Sequence, residues 1–532
     1  MSLRETNLDK LDGGTFDVLI VGGGINGAVS AAALSARGAS VALIDRGDFA
    51  GFTSQESSNL VWGGIKYLEN YEFPLVRKLC MSRNRLMRAY PANVKEVGFL
   101  GVVGETAPFP PWVVGVGAFA YWGIGNFKTN APRPMSPETI ERIEPVVNTV
   151  GTVGGIEYAD AYLKDNDARF VFNFVRSAMD VGAVATNYVE LENAERSKGK
   201  WHAQLRDCVS GSPVNVEAKV VINAAGPFLD GLNKTWNTHT RNQIVYSKGV
   251  HLVVDQLTPN ERVLAFFDDD QRLFYVLHTV VTDLNREFLL EQINDRLDLN
   301  SPLTKQDIIS ERSGVRPLVI RRQSRSLKNI DWTALSRKHE VEVDHAKQVV
   351  SIFGGKLTDC LNVGEEVAAA VETLGIRLNP DHQRWYGEPG RESRRTFFRQ
   401  ARRMRLDDLR DKPRAEPLSE RLWRRYGRRA FEMLDHIRED PTMAEDILGS
   451  SDYLKVELHN TASTEMIVHL DDFLRRRSKI SLITRSQDIQ NAKGLDEVVS
   501  ILFGSDSETK LAEYFGSNDA SSESDRTRTT EI

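Results

Sequence analysis

The chain has little cysteine. Cys80, Cys208 and Cys360 are its three, scattered through 532 residues without CxxC or metal-ligand spacing. That leaves no basis for a disulfide scaffold or a metal site, and each is read as a small core residue in a reduced, cytoplasmic setting. Excess charge of either sign is also lacking: 68 Lys and Arg face 74 Asp and Glu, a net of −6. Nothing here favours nucleic acid as a partner. The opening MSLRETNLDKLDGG contains no apolar h-region, so no secretory signal is expected. Residues 106–127, TAPFPPWVVGVGAFAYWGIGNF, carry no charge and approach the length of a membrane span, but Pro108, Pro110, Pro111 and the glycines argue against a crossing helix. Core packing is the expectation there. No internal repeat is present.

What the chain does have stands at its front. Residues 16–45, FDVLIVGGGINGAVSAAALSARGASVALID, read as an apolar strand, a glycine turn, a small-residue helix and a second apolar strand closing on an acid. Gly22 permits the tight turn, Gly24 lets backbone approach a pyrophosphate, and Gly27 lets the helix pack on the strand. The helix beginning near Ile25 aims unpaired N–H groups at phosphates, and Asp45 is placed to accept from a ribose hydroxyl pair. An aspartate there disfavours a 2′-phosphate, so the expected ligand is a dinucleotide other than NADP.

A chain of this length exceeds one ordinary core, and two or three domains are expected. The nucleotide-binding part recurs in separated segments, about 14–80, 156–235 and 306–384. The first passes into a helix expected from Arg83 towards Glu96. The second holds a helix at DNDARFVFNFVRSAMDVGA, a strand over Ala185–Leu191 that includes Val189, and a strand ending at Asn223 before Ala224-Ala225-Gly226-Pro227. The third runs from Val349–Phe353 through Gly354-Gly355-Lys356-Leu357-Thr358 into a helix. Segments at about 81–155 and 236–305, with more strand patterns, aromatics and prolines, are assigned to an interleaved substrate domain. Residues 385–515 read as a helical C-terminal domain, and 516–532 as a disordered tail.

DVLIVGGGINGA, DFAGFTSQESSNLVWGGIKYLENYEF, AAGPFLD, SGVRPL, ALSRKH, FGGKLTD, LSERLWRRYG and HLDDFLRRR follow one another in this order. The chain thereby resembles the FAD-dependent, quinone-linked glycerol-3-phosphate dehydrogenases over most of its length. The resemblance implies an α/β fold: an FAD-binding doubly wound, Rossmann-like domain, a mixed-sheet substrate domain and a helical C-terminal domain. It also implies oxidation of sn-glycerol 3-phosphate to dihydroxyacetone phosphate, with electrons passed to a membrane quinone. FAD contacts are expected at Gly22, Gly24, Asn26, Gly27, Asp45 and Arg46; at Thr53, Ser54, Ser57 and Ser58, whose hydroxyls donate to the pyrophosphate or else cap a helix; at Trp62, Gly63 and Gly64; and at Val189, Ala225, Gly226, Gly355, Lys356, Leu357 and Thr358.

On the substrate side, Arg316 matches a family arginine suited to bidentate phosphate recognition. Lys356 matches a lysine beside the flavin, where positive charge stabilises the anionic reduced ring. Arg337 matches a further arginine, less distinctively. The family's histidine, two glycines, apolar residue, arginine and tyrosine are here Trp62-Gly63-Gly64-Ile65-Lys66-Tyr67. An indole has no acceptor and takes no proton, and Lys66 keeps the arginine's charge without its planar fork. Tyr67 retains a hydrogen bond donor. After Thr358 the family's threonine-tyrosine-arginine gives way to Asp359-Cys360-Leu361. His251 matches a family histidine and His278 follows it, so both are candidate bases against the structural role usual for a lone histidine. Two other readings stay open: a flavoenzyme for a different small anionic alcohol or amine, and a catalytically silent flavoprotein. A quinone acceptor implies peripheral contact with the cytoplasmic face of a membrane. Arg391–Arg405, where arginines interleave with Phe397 and Phe398, is a second candidate for lipid contact besides a solvated helix face.

Overall fold

The computed structural model describes residues 2–258, 260–267, 273–276, 286–322, 338–379, 384–409, 416–449 and 451–524. By internal contacts the chain divides into two compact units, Lys10–Gly387 and Met1–Asp9 with Glu388–Ile532.

In the larger unit, the strands Glu340–Asp344, Val349–Phe353, Pro213–Asn223, Gly14–Val21, Val41–Ile44 and Val184–Thr186 lie side by side in that order. Gly14–Val21 is parallel to both Pro213–Asn223 and Val41–Ile44. These central strands are continuous apolar runs because helices cover both faces of a parallel sheet. The hairpin Val189–Ser197 and Lys200–Asp207 extends the sheet antiparallel from Pro213–Asn223. Helix Ile25–Ser35 is buried along almost its whole length, which its alanines, glycine and serines allow. Helix Asp167–Asp180 is N-capped by Asn166, whose side chain accepts from the Arg169 N–H at 2.6 Å.

A second sheet orders Leu273–Val276, Arg262–Phe267, Val94–Gly104, Thr152–Leu163 and Leu60–Val61, with Arg133–Met135 beside Thr152–Leu163. A two-stranded ladder pairs Asn242–Val254 with Ile308–Arg321 and sets Arg316 opposite Ser247.

Local expectations needed correction at five places. Cys80 and Cys360 are buried as read, but Cys208 is exposed, in the turn that follows strand Lys200–Asp207. The helix expected over 83–96 spans Phe73–Ala89 instead, and Val94 already opens a strand. Pro91 disfavours helical geometry at Tyr90 and the chain leaves the helix there. The strand expected over 185–191 is two strands parted at Asn187–Tyr188. There the Asn187 side chain donates to Asp48, and Tyr188 adopts φ +54°. Residues 106–127 are not a core element. They form helix Pro111–Ile124, in which only Gly115, Ala118 and Tyr121 are buried while Trp112 (71%), Val116 (63%) and Phe119 (45%) face solvent. Last, helix Ser507–Ser524 enters the segment expected to be disordered. Once Leu511 and Phe515 pack on the core of their unit, adding helical residues costs far less than nucleation.

The smaller unit is helical about a core of Leu458, Phe473, Leu474, Val498 and Val499. Glu457 is buried between Arg421 and Arg425, each bonded to it at 2.8 Å. In helix Arg391–Arg403, Phe397 is fully buried against Trp423 at 5.4 Å, so this phenylalanine of the candidate lipid-contact segment belongs to the core.

Candidate flavin and substrate site

The site begins where strand Gly14–Val21 ends. Gly22 has φ +106°, and a Cβ there would stand 2.5 Å from the Ala224 carbonyl oxygen. A Cβ on Gly27 would stand 1.8 Å from the Gly22 carbonyl oxygen. Backbone therefore fills the room that side chains would need, and helix Ile25–Ser35 presents its N-terminus to the opening. Asp45, ending the neighbouring strand, accepts the Gly23 N–H at 2.6 Å and the Gly47 N–H at 2.9 Å. Burial pushes its carboxyl up to about 6 against the pull of those two bonds. The acid expected to reach a ribose thus also braces the glycine turn, and each oxygen keeps a further lone pair for the cavity it lines.

That cavity, about 190 Å3, is bounded by Gly22, Gly24, Asn26, Asp45, Arg46, Val189, Ala225 and Gly226, with Phe52 and Phe228 at its wall. The Arg46 guanidinium lies 3.8 Å from the Phe228 ring centre and 5.1 Å from that of Phe52. A second cavity of about 470 Å3 shares Ile25, Thr53, Ser54, Pro317, Gly354 and Gly355 with the first, making one trough. Its other walls carry Ser57, Ser58, Trp62, Leu357 and Thr358, four cations (Lys66, Arg316, Lys338 and Lys356) and the carboxylate of Glu56.

Several expected contacts are brought to this trough in a role of their own. Ser54 Oγ accepts the Ile25 N–H at 3.0 Å and so caps the helix. Thr53 donates to the Val315 carbonyl at 2.6 Å, and Asn26 to the Gly354 carbonyl at 2.8 Å. Ser57 receives Arg312 on its carbonyl and gives its N–H to Asp167 at 2.8 Å. Gly63, Gly64 and Tyr67 line neither cavity. The Gly63 N–H is held at 3.1 Å by the buried Asp160, which also accepts from Tyr121 at 2.7 Å and Arg83 at 2.8 Å. Gly64 packs on the Tyr67 ring. Tyr67 itself is 6% exposed, and its hydroxyl accepts from Lys356 Nζ at 2.5 Å. The ammonium lies 4.1 Å from the Tyr67 ring centre and 5.8 Å from that of Trp62. The backbone of His251 stands opposite Arg312 in the two-stranded ladder. His278 and Arg337 lie outside the described residues.

A family model described as FAD dependent oxidoreductase matches residues 17–331. The chain belongs to that family. The model for the C-terminal domain of alpha-glycerophosphate oxidase matches residues 393–510 of this oxidoreductase. A glycerol-3-phosphate dehydrogenase 2 of Mycobacterium bovis is 29% identical, covering 94% of this chain and 87% of that protein. A glycerol-3-phosphate dehydrogenase of Pseudomonas tolaasii is 27% identical over 90% and 94%. Among solved structures, glycerol-3-phosphate dehydrogenase from Bacillus halodurans complexed with FAD shares the fold at a TM-score of 0.69, with 21% identity and 97% of both chains covered.

The trough of this FAD-dependent oxidoreductase suits its cofactor. Backbone at Gly22 and Gly27 forms a cradle that added Cβ atoms would fill, and the helix N-terminus faces it. Cations gather at the other end. Sequence reading missed Lys338 and Glu56 as cavity residues, although each sits inside a quoted motif. Lys338 belongs to ALSRKH and Glu56 to FTSQESSN. Those motifs marked the segments, but the direction of each side chain depends on strands distant in sequence. A Cβ on Gly314 would lie 2.6 Å from the Cβ of Glu56, so it is the absence of a side chain in SGVRPL that lets Glu56 settle there.

Proposed function

We propose that this flavoenzyme oxidises the secondary alcohol of sn-glycerol 3-phosphate to dihydroxyacetone phosphate and delivers the electrons to a quinone. The observation that carries the reading is the convergence of Lys66, Arg316, Lys338 and Lys356 on the cavity continuous with the dinucleotide trough. Four cations suit a phosphate dianion and a developing negative charge better than a neutral alcohol. FAD supplies the acceptor for a hydride from the carbinol carbon. The chain orients and charges the site: Arg316 offers a planar fork to phosphate oxygens, Lys66 a point charge, and Lys356, steadied by Tyr67, a fixed positive end. The hydroxyl proton goes to Glu56, the one carboxylate among the described residues lining this cavity. A carboxylate has lone pairs to take that proton, a task the Trp62 indole, a donor with no acceptor, cannot perform.

The exposed face of helix Pro111–Ile124 supports lipid contact. Trp112, Val116 and Phe119 form an uncharged, outward-facing set, with exposed Phe109 and Phe127 beside it. No helix of the described residues is long and apolar enough to cross a membrane, so attachment would be peripheral. Co-sedimentation with anionic phospholipid vesicles is expected, and Trp112→Asp with Phe119→Asp should abolish it without slowing flavin reduction. Undiminished sedimentation of that variant would remove this surface from the reading.

The substrate is tested by anaerobic mixing with glycerol 3-phosphate followed by a quinone analogue. Rapid bleaching of the flavin and reoxidation by the quinone are expected. A second reading, oxidation of another small anionic alcohol or amine, is favoured by Trp62, Lys66 and Glu56, since a carboxylate in the cavity also suits an ammonium. Bleaching by such compounds and not by glycerol 3-phosphate would decide for it. A flavin that no candidate substrate bleaches would leave the silent-flavoprotein reading.

A further inference from the structure

Behind the cavity wall lies a group of charges, buried at His339 and Asp359 and open to water at Glu366. His339 directly precedes strand Glu340–Asp344, and its imidazole is fully buried. Nε2 is 2.9 Å from the Glu366 carboxylate in a hydrogen bond. Nδ1 is 2.9 Å from the Asp359 carboxylate but out of line for one, so that contact is an ion pair. From helix Phe73–Ala89, Lys78 reaches Glu366 at 3.1 Å and Asp359 at 3.5 Å. Ser82 and Asn362 donate to the other Asp359 oxygen at 2.8 and 2.6 Å. Two carboxylates and two cations balance only when His339 carries its proton. A neutral ring would turn a lone pair towards one carboxylate and leave the buried Asp359 short of a countercharge, while Glu366 keeps partial access to water. Burial alone would lower the histidine, but the two carboxylates override it and hold it above its ordinary value.

The group sits at the root of the turn whose tip is Lys356. Asp359 gives its N–H to the Lys356 carbonyl at 2.9 Å and immediately precedes helix Cys360–Thr373. Gly354 at φ +62° and Gly355 at φ +116° make the approach to Lys356 a bend that few other residues adopt. A bend of glycines has little stiffness of its own, so beyond the Asn26 amide on the Gly354 carbonyl its orientation depends on what anchors its ends. One end is the strand Val349–Phe353, and the other is Asp359.

We propose that the His339 imidazolium is a positioning residue: by neutralising Asp359 and Glu366 together, it fixes the Gly354–Asp359 turn and thereby holds the Lys356 ammonium at the flavin end of the cavity. This rests on the reading that Lys356 faces the flavin. The role is one of charge rather than shape, and that separates it from ordinary packing.

The test uses the FAD-loaded enzyme, reading the FAD dissociation constant by fluorescence and the flavin midpoint potential. His339→Gln should weaken FAD binding about tenfold and move the potential negative, in the direction given by Lys356→Met. Adding Glu366→Gln to His339→Gln rebalances the charge and should recover most of both losses. A double variant no better than the single, or a single variant that lowers thermal stability and leaves affinity and potential alone, overturns the proposal. If Lys356→Met leaves the potential unchanged, the underlying reading of Lys356 fails. If it moves the potential and His339→Gln does not, only the positioning role fails. Should the single variant not accumulate in folded form, the native enzyme carries the same information: FAD binding should weaken as pH rises through the His339 titration, and this step should vanish in the double variant. Persistence of the step in the double variant also overturns the proposal.

Discussion

The two ends of the trough are built from different material. At the dinucleotide end, main chain forms the points of closest approach: the turn after Gly14–Val21, a helix N-terminus, and an aspartate bonded to two main-chain N–H groups. At the wider end, side chains form the surface, arriving from the segment after Phe52, from strand Ile308–Arg321 and from the turn after Phe353. Main-chain surfaces tolerate almost no substitution at the points of closest approach, whereas side-chain surfaces can be retuned one residue at a time. Trp62 and Lys66, the positions at which the family resemblance departs, lie on the side-chain end, while Gly22 and Gly27 lie on the main-chain end.

The contrast can be broken most directly at Gly27. Replacement by Val puts a Cβ where the Gly22 carbonyl oxygen already is, at 1.8 Å, and should destabilise the fold by about 3 kcal/mol or more. Purified protein should contain no flavin; a yellow, stable variant would show that main chain does not set this surface. At the other end, Glu56→Gln should leave flavin content unchanged while kcat falls about a hundredfold. An unchanged kcat would remove Glu56 as proton acceptor. A milder change, Arg316→Lys, keeps the charge and loses the fork, so KM for a phosphorylated substrate should rise about tenfold, equivalent to about 1.4 kcal/mol, with kcat little altered. The smallest effect is on pH dependence. His339 is held above its ordinary value when folded, so its contribution to stability is complete below about pH 6.5 and is lost as pH rises through the folded value. Melting curves of the native protein and His339→Gln should therefore converge as pH is raised from 6 to 9. A gap that stays constant would mean that His339 acts through packing.

Much of the fold was legible because its signals are local. Residues 16–45 spell strand, turn, helix and strand within thirty positions, and the helix after Asn166 and the strand ending at Asn223 carry their own caps and apolar runs. The misread pieces are those whose state depends on distant partners. Asn187 interrupts a strand pattern because Asp48 is there to receive its amide. The apolar stretch at 106–127 looked like core, yet only one narrow side of its helix packs, with Tyr121 reaching Asp160. Phe397 within a basic run looked available to lipid and turned inward to Trp423.

The candidate site divides along the same line. Gly22, Gly24, Gly27 and Asp45 were found from spacing, because a turn between adjacent elements needs those residue types whatever the rest of the molecule does. Lys338, Glu56 and His339 were not, although their motifs were in view. A motif names a segment, and whether its side chains point into a cavity depends on sheet register and on neighbours hundreds of positions away.

Short-range periodicity and backbone conformational limits were thus enough for a dinucleotide site in an α/β fold followed by a helical second unit, and the family resemblance added FAD and the oxidoreductase class. Which charges share one cavity, which tyrosine lies behind it and which histidine braces its lysine came from folding alone. Electrostatic interactions act over ångströms of space, and chain separation does not enter Coulomb's law.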